Sequence, residues 1–227
     1  MSGTEVLSNN SNNEKRSIGQ RNVRRTAVLG VKEKRSTGTD NTANVLIIDV
    51  SGSTSDEIGK GDSRSKLEGI KEAVSQFIVK SSSVSKIAII AFDSNAQSIV
   101  SMQQIGQKKL QFIQSVQRFS PGSSTAMREA LQMALREIRG ISGNIVIRVY
   151  LLTDGMPDCD PTAEANKLKK QGVQLNTVGF GEGFNIDEGL LKKMASISAS
   201  GSPLYYHFTD AKNMTGFFKK QTQTITQ

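Results

Sequence analysis

One cysteine, Cys159, is all the thiol the 227-residue chain carries, so no intramolecular disulfide can form and a reducing, intracellular setting is expected. Long hydrophobic runs are also missing. Nothing approaches the roughly 20 apolar residues of a membrane span, and Met1 to Asn13 is polar where a secretory signal carries its apolar stretch. A soluble cytoplasmic protein is the expectation. The one histidine, His207, stands in the run Tyr205-Tyr206-His207-Phe208, which reads as a structural strand position rather than a catalytic one. Cys159 has no His or Cys neighbour in sequence to activate it. Enzyme signatures are lacking as well: there is no Gly-x-x-x-x-Gly-Lys-Ser/Thr loop and no Gly-x-Ser-x-Gly elbow, and Gly179-Phe180-Gly181-Glu182-Gly183 lacks Gly-x-Gly-x-x-Gly spacing.

What is present is most concentrated in Asn44 to Ser53, Asn-Val-Leu-Ile-Ile-Asp-Val-Ser-Gly-Ser. Val45, Leu46, Ile47 and Ile48 in succession suit a strand covered on both faces, as in the parallel sheet of an α/β domain. Asp49 then falls at its carboxyl end, where open α/β sheets bind ligands. Ser51-Gly52-Ser53 is a loop able to turn two hydroxyls back toward that carboxylate. Three oxygen donors favour Mg²⁺, Mn²⁺ or Ca²⁺ over zinc. A phosphohydrolase that uses a strand-end aspartate as nucleophile needs a second aspartate two residues on as general acid, and Ser51 occupies that position.

Two further segments complete a pattern. Pro121-Gly122-Ser123-Ser124-Thr125 is a small-residue loop ahead of a helical stretch, Ala126 to Arg139, and the apolar run Ile145 to Leu152 ends in Thr153-Asp154-Gly155. Together with Asp49-x-Ser51-x-Ser53, these resemble the three elements of the metal-ion-dependent adhesion site (MIDAS) of von Willebrand factor type A (VWA) domains. The similarity runs on through Thr177 to Gly181, the Tyr205 to Phe208 strand and the closing helix, so it covers about Asn44 to the C-terminus. The resemblance implies a metal site of Asp49, Ser51, Ser53, Thr125 and Asp154, with Thr125 binding directly in the ligand-competent state and Asp154 directly or through water. Mg²⁺ is the implied cation, with Mn²⁺ or Ca²⁺ as alternatives. Two carboxylates neutralise it formally, and one exchangeable position is left for an Asp or Glu of a protein partner. Each residue alone also has an ordinary reading: Ser51 and Ser53 as loop hydroxyls, Thr125 as an N-cap of the helix it precedes. Asp158 and Asp160 follow Asp154 closely enough to reach the rim of such a site, but Asp160, before Pro161, reads as a helix cap and Asp158 as a solvated residue.

Apolar spacing predicts helices over Ser65 to Lys80, around Leu110 to Phe119 and beside Thr125, with more after Asp160-Pro161, Ile186 and Asp210. Strands are expected at Ile87 to Phe92, Ser98 to Met102, Ile145 to Leu152, Val173 to Val178 and Leu204 to Phe208. The fold class is α/β, a doubly wound, mostly parallel Rossmann-like sheet with helices on both faces; the resemblance makes Ser98 to Met102 its antiparallel edge. Thr54 to Arg64, longer and more charged than the tight connection usual in the family, reads as a solvated insertion or a partner contact at the metal face. The chain divides near residue 40: residues 41–227 form the VWA-like domain, and residues 1–40 a polar arm that cannot fold alone. Eight Lys and Arg against four acids in this arm account for half of the chain's net +8. The resemblance implies no enzyme but an intracellular, bacterial-type, metal-dependent adaptor, by analogy beside AAA+ ATPases or in stress-response or defence complexes. The alternative is a nucleic-acid-associated or scaffold protein whose basic arm docks on nucleic acid or an acidic protein surface.

Overall fold

A computed structural model describes residues 41–59, 61–182 and 186–222; the arm lies outside them. The apolar run becomes strand β1 (Thr42–Asp49), with Val45, Leu46, Ile47 and Ile48 all at 0% exposure. It occupies the middle of a sheet, pairing in parallel with β4 (Lys86–Phe92) on one side and β6 (Val146–Thr153) on the other. β7 (Gln174–Phe180) and β8 (Tyr205–Phe208) continue the parallel sheet beyond β6, and β5 (Ala96–Gln104) closes the opposite edge antiparallel to β4. The order is β5-β4-β1-β6-β7-β8. All five parallel strands therefore end on one edge, and the chain order reverses direction between β1 and β6, where ligands are met in open sheets.

Alternation along β1 sends side chains into two separate cores. Leu46 and Ile48 pack with α1 (Lys66–Lys80), α2 (Lys109–Gln117) and α6 (Ala211–Gln221) through residues such as Phe77, Val116 and Phe218. Val45 and Ile47 pack with α3 (Met127–Glu137), α4 (Thr162–Lys170) and α5 (Glu188–Met194) through Leu131, Leu168 and Met194. On the first face the rings of Phe77, Tyr150 and Phe218 meet edge-on at 5.5 to 6.0 Å. Side chains cap three of the helices: Ser65 and Glu68 form a reciprocal capping box at α1, and Asp187 and Asp210 accept backbone N–H groups at α5 and α6.

Most described residues of Thr54 to Arg64 are exposed, as a solvated insertion would be, but the segment is folded and anchored. A short 3₁₀ turn (Gly52–Ser55) leads into a hairpin of β2 (Glu57–Gly59) and β3 (Asp62–Ser65), and Ile58 within it is 1% exposed. Gly69 on α1 makes the room, since a Cβ there would lie 3.0 Å from both Ile58 Cδ1 and the Phe180 ring. One apolar residue in a charged stretch creates no periodicity, so only the packing reveals this anchor.

Candidate metal centre

The site sits on the edge where the parallel strands end. Asp49, the last residue of β1, is 0% exposed, and both of its carboxylate oxygens are held: Oδ1 accepts the Ser51 N–H at 2.8 Å and Oδ2 the Thr153 hydroxyl at 2.5 Å. Burial pushes its pKa up to about 6, against hydrogen bonds from Ser51 and Thr153 that pull it down. The Ser51 and Ser53 hydroxyls lie 3.2 Å apart, and Ser53 Oγ donates to Asp154 Oδ1 at 2.9 Å, so the first and third segments meet there.

The second segment is locked to the first by its backbone. Gly122 N–H donates to Val50 O at 2.6 Å, Gly52 N–H to Ser123 O at 3.3 Å and Ala126 N–H to Asp93 O at 2.6 Å. Gly122 is required here, because a Cβ would lie 2.1 Å from Asp93 Oδ2. Thr125 is brought to the same spot from another side: a Cβ built on Gly155 would be 3.6 Å from Ser53 Oγ and 3.8 Å from Thr125 Oγ1. The structure thus gathers Asp49, Ser51, Ser53, Thr125 and Asp154 from three loops. Thr125 does not cap α3; Ala126 is the N-cap, without a side-chain hydrogen bond.

The donor set fits a hard divalent cation. Two carboxylates and three hydroxyls are all oxygens, and spacings of 3.2 and 2.9 Å match neighbouring corners of an octahedron with metal–oxygen bonds of about 2.1 Å. Among the described residues no group of three His, Cys, Asp or Glu is placed to hold a metal ion.

Residues 45–220 match the sequence model of the von Willebrand factor type A domain. The chain belongs to that family. It is 25% identical over 210 residues to the uncharacterized protein YwmC of Bacillus subtilis, covering 86% of this chain and 89% of that protein. With the uncharacterized protein sll0103 of Synechocystis it shares 27% over 164 residues, 70% of this chain but 36% of that one, so it spans about a third of that relative's length. Among solved structures, a von Willebrand factor type A protein from Catenulispora acidiphila superposes with a TM-score of 0.67 at 20% identity, over 81% of this chain and 42% of that one. The pilus adhesin SpaC from Lactobacillus rhamnosus GG gives 0.64 at 15% identity, over 81% and 30%. Such identities establish the α/β VWA fold, and domains of this family are generally protein-interaction modules. No helix among the described residues is long and apolar enough to cross a membrane.

The structure adds two roles at this VWA domain's site that the sequence reading did not assign. Asp158 is exposed, as its solvated reading implies, yet it accepts the Ser124 hydroxyl at 2.7 Å and the Thr125 N–H at 3.2 and 3.3 Å, holding the Thr125 loop in place. Its position four residues after Asp154 was the available signal. Lys66, at the first turn of α1 with its side chain 6% exposed, places Nζ 3.0 Å from Asp154 Oδ2, 3.4 Å from Ser53 O and 3.7 Å from Asp56 Oδ2. A cation in a first helical turn runs against the helix dipole, and that was its one mark in the sequence. The remaining residues behave as read: Asp160 accepts the Thr162 N–H at 2.8 Å at the start of α4, and His207 Nε2 bonds Gly181 O at 2.9 Å as part of the strand-end scaffold.

Proposed function

We propose that this VWA domain is a metal-dependent protein-binding module, not an enzyme, in which Asp49, Ser51, Ser53, Thr125 and Asp154 form a MIDAS that holds Mg²⁺. The observation that carries this reading is the convergence of two strand-end carboxylates and three hydroxyls from three separate segments, with Ser53 Oγ 3.2 Å from Ser51 Oγ and 2.9 Å from Asp154 Oδ1, the spacing of neighbouring corners of an octahedron. When bound, the cation offers an electrostatic anchor to an Asp or Glu side chain of a partner. The protein's own groups do the rest. Ser51 N–H and Thr153 orient Asp49 for one geometry, and Asp158 fixes the Thr125 loop. The setting in this proposal is intracellular, on the single cysteine of the chain, and the role that of an adaptor; the same binding chemistry would serve an adhesin.

Calorimetric titration of the full chain with MgCl₂ and MnCl₂ tests the site. One binding event is expected in the wild type and none in Asp49→Ala or Asp154→Ala; undiminished binding in both variants overturns the assignment. Affinity capture with wild type, Asp49→Ala, and wild type in excess chelator then tests the partner, which should be lost from the last two while the variant stays folded. A second reading rests on the eight Lys and Arg of residues 1–40, by which the arm docks on nucleic acid or an acidic protein. Deleting residues 1–40 separates the readings, since capture through the cation survives the deletion and capture through the arm does not, the latter also falling steeply with salt.

A further inference from the structure

We propose that Lys66 is a tethered cation that competes with the divalent ion for Asp154 and hands over to Asp56 when that ion binds. The inference rests on the metal reading above and concerns how tightly the site loads. Three observations carry it. The Lys66 ammonium is buried against Asp154 Oδ2 at 3.0 Å, on the carboxylate that also accepts Ser53 Oγ at 2.9 Å, so it shares a ligand with the proposed ion. The slot for its stem is built: Gly181 has φ +127°, and a Cβ there would fall 2.9 Å from Lys66 Cε. An alternative partner stands ready, because Asp56 Oδ2 lies 3.7 Å from the same Nζ on a side chain 61% exposed, and Asp56 O already accepts the Lys66 backbone N–H at 2.9 Å.

The charges make the consequence directional. Asp49 and Asp154 supply −2 and Lys66 restores +1, so an arriving divalent ion meets a fixed positive charge within a few ångströms. Repulsion of that kind is worth more than a tenfold change in affinity even at high effective dielectric. Transfer of the ammonium toward Asp56 relieves it without leaving Lys66 unpaired, and swings the charge toward the exposed rim. With the ion bound, Asp49, Asp154, Asp56, Lys66 and Mg²⁺ together carry no net charge, where the same set without Lys66 would carry −1, so the lysine strengthens the pull on an incoming partner carboxylate. Lys66 therefore weakens cation loading and favours the acidic partner once the cation is in place.

The test is calorimetric titration of the full chain with MgCl₂ and MnCl₂, comparing wild type, Lys66→Met, Lys66→Gln, Asp56→Asn and the Asp56→Asn/Lys66→Gln pair, each checked for folding by circular dichroism. Lys66→Met and Lys66→Gln are expected to bind both ions at least about tenfold more tightly than wild type. Asp56→Asn is expected to weaken binding several-fold in the wild-type background and to change it little beside Lys66→Gln. Equal or weaker binding by a folded Lys66 variant, with wild type still binding, overturns the competition and leaves the metal site standing. Equal effects of Asp56→Asn in both backgrounds overturn the handover. Absence of binding in every protein, wild type included, removes the metal reading and this inference with it.

Discussion

At Asp49 a carboxylate has been placed at 0% exposure, and its pKa rises from the ordinary 3.8 to about 6 because burial penalises the charge more than its hydrogen bonds reward it. The folded, metal-free domain consequently holds a proton there more firmly than the unfolded chain. That contribution is complete below about pH 4 and lost as the pH rises through 6, amounting to about 3 kcal/mol. In chelator, the urea midpoint of the wild type should fall between pH 4.5 and 7 relative to that of Asp49→Asn; parallel curves for the two would contradict the assigned shift. Added Mg²⁺ should stabilise the wild type above pH 6 and do less below pH 5, since the ion replaces the proton as the partner of the carboxylate. Gly122 makes a second residue-level case. Its missing Cβ leaves space for the Asp93 side chain, so Gly122→Ala must push the Thr125 loop or Asp93 aside. A loss of about 1–3 kcal/mol is expected on urea denaturation, with weaker cation binding because Thr125 moves with its loop.

Among the elements, the β2–β3 hairpin does the work that its charged sequence concealed. Ile58 pins it under α1, where Gly69 leaves room, and the hairpin's entry carries Asp56 to the N-terminus of α1 beside Lys66. Ile58→Ala should cost about 2–5 kcal/mol, the usual range for emptying a fully buried aliphatic site, whereas a solvated insertion would lose almost nothing; chemical denaturation separates the two. Edge strand β5 shows a complementary device. Glu137 at the end of α3 accepts the Ser98 hydroxyl at 2.6 Å and the Met102 N–H at 2.7 Å, so a carboxylate answers one of the edge's backbone donors and discourages pairing with another chain.

For the molecule as a whole, two cores on opposite faces of one sheet set the platform from which the site projects. The α1–α6 face is closed by Phe218 against Phe77 and Tyr150. Phe218→Ala removes a ring at 0% exposure and should cost about 3–5 kcal/mol, read as a lowered denaturation midpoint. Since the change lies away from Asp49 and Asp154, cation affinity of the remaining folded fraction should be nearly unchanged. A large loss of affinity would instead show that the last helix and the proposed metal site are coupled.

The sequence by itself determined the six strands of the main sheet and the helices, and it marked the five oxygens proposed as metal donors, because each lies in a local pattern: an apolar run ending in Asp49, another ending in Asp154, a small-residue loop ending in Thr125. Helical and strand periodicities report which face is buried, and strand-end motifs report where the chain leaves the sheet. Tertiary structure alone decided Lys66, Asp158 and Ile58. Each is a single residue of ordinary type whose role depends on a partner distant in sequence: Lys66 meets Asp154 across 88 positions, Asp158 reaches Thr125 across 33, and Ile58 fills a space left by Gly69 and Phe180. A lone contact of that kind leaves no repeat along the chain, so its charge or apolar surface looks solvated until the fold brings its partner to it.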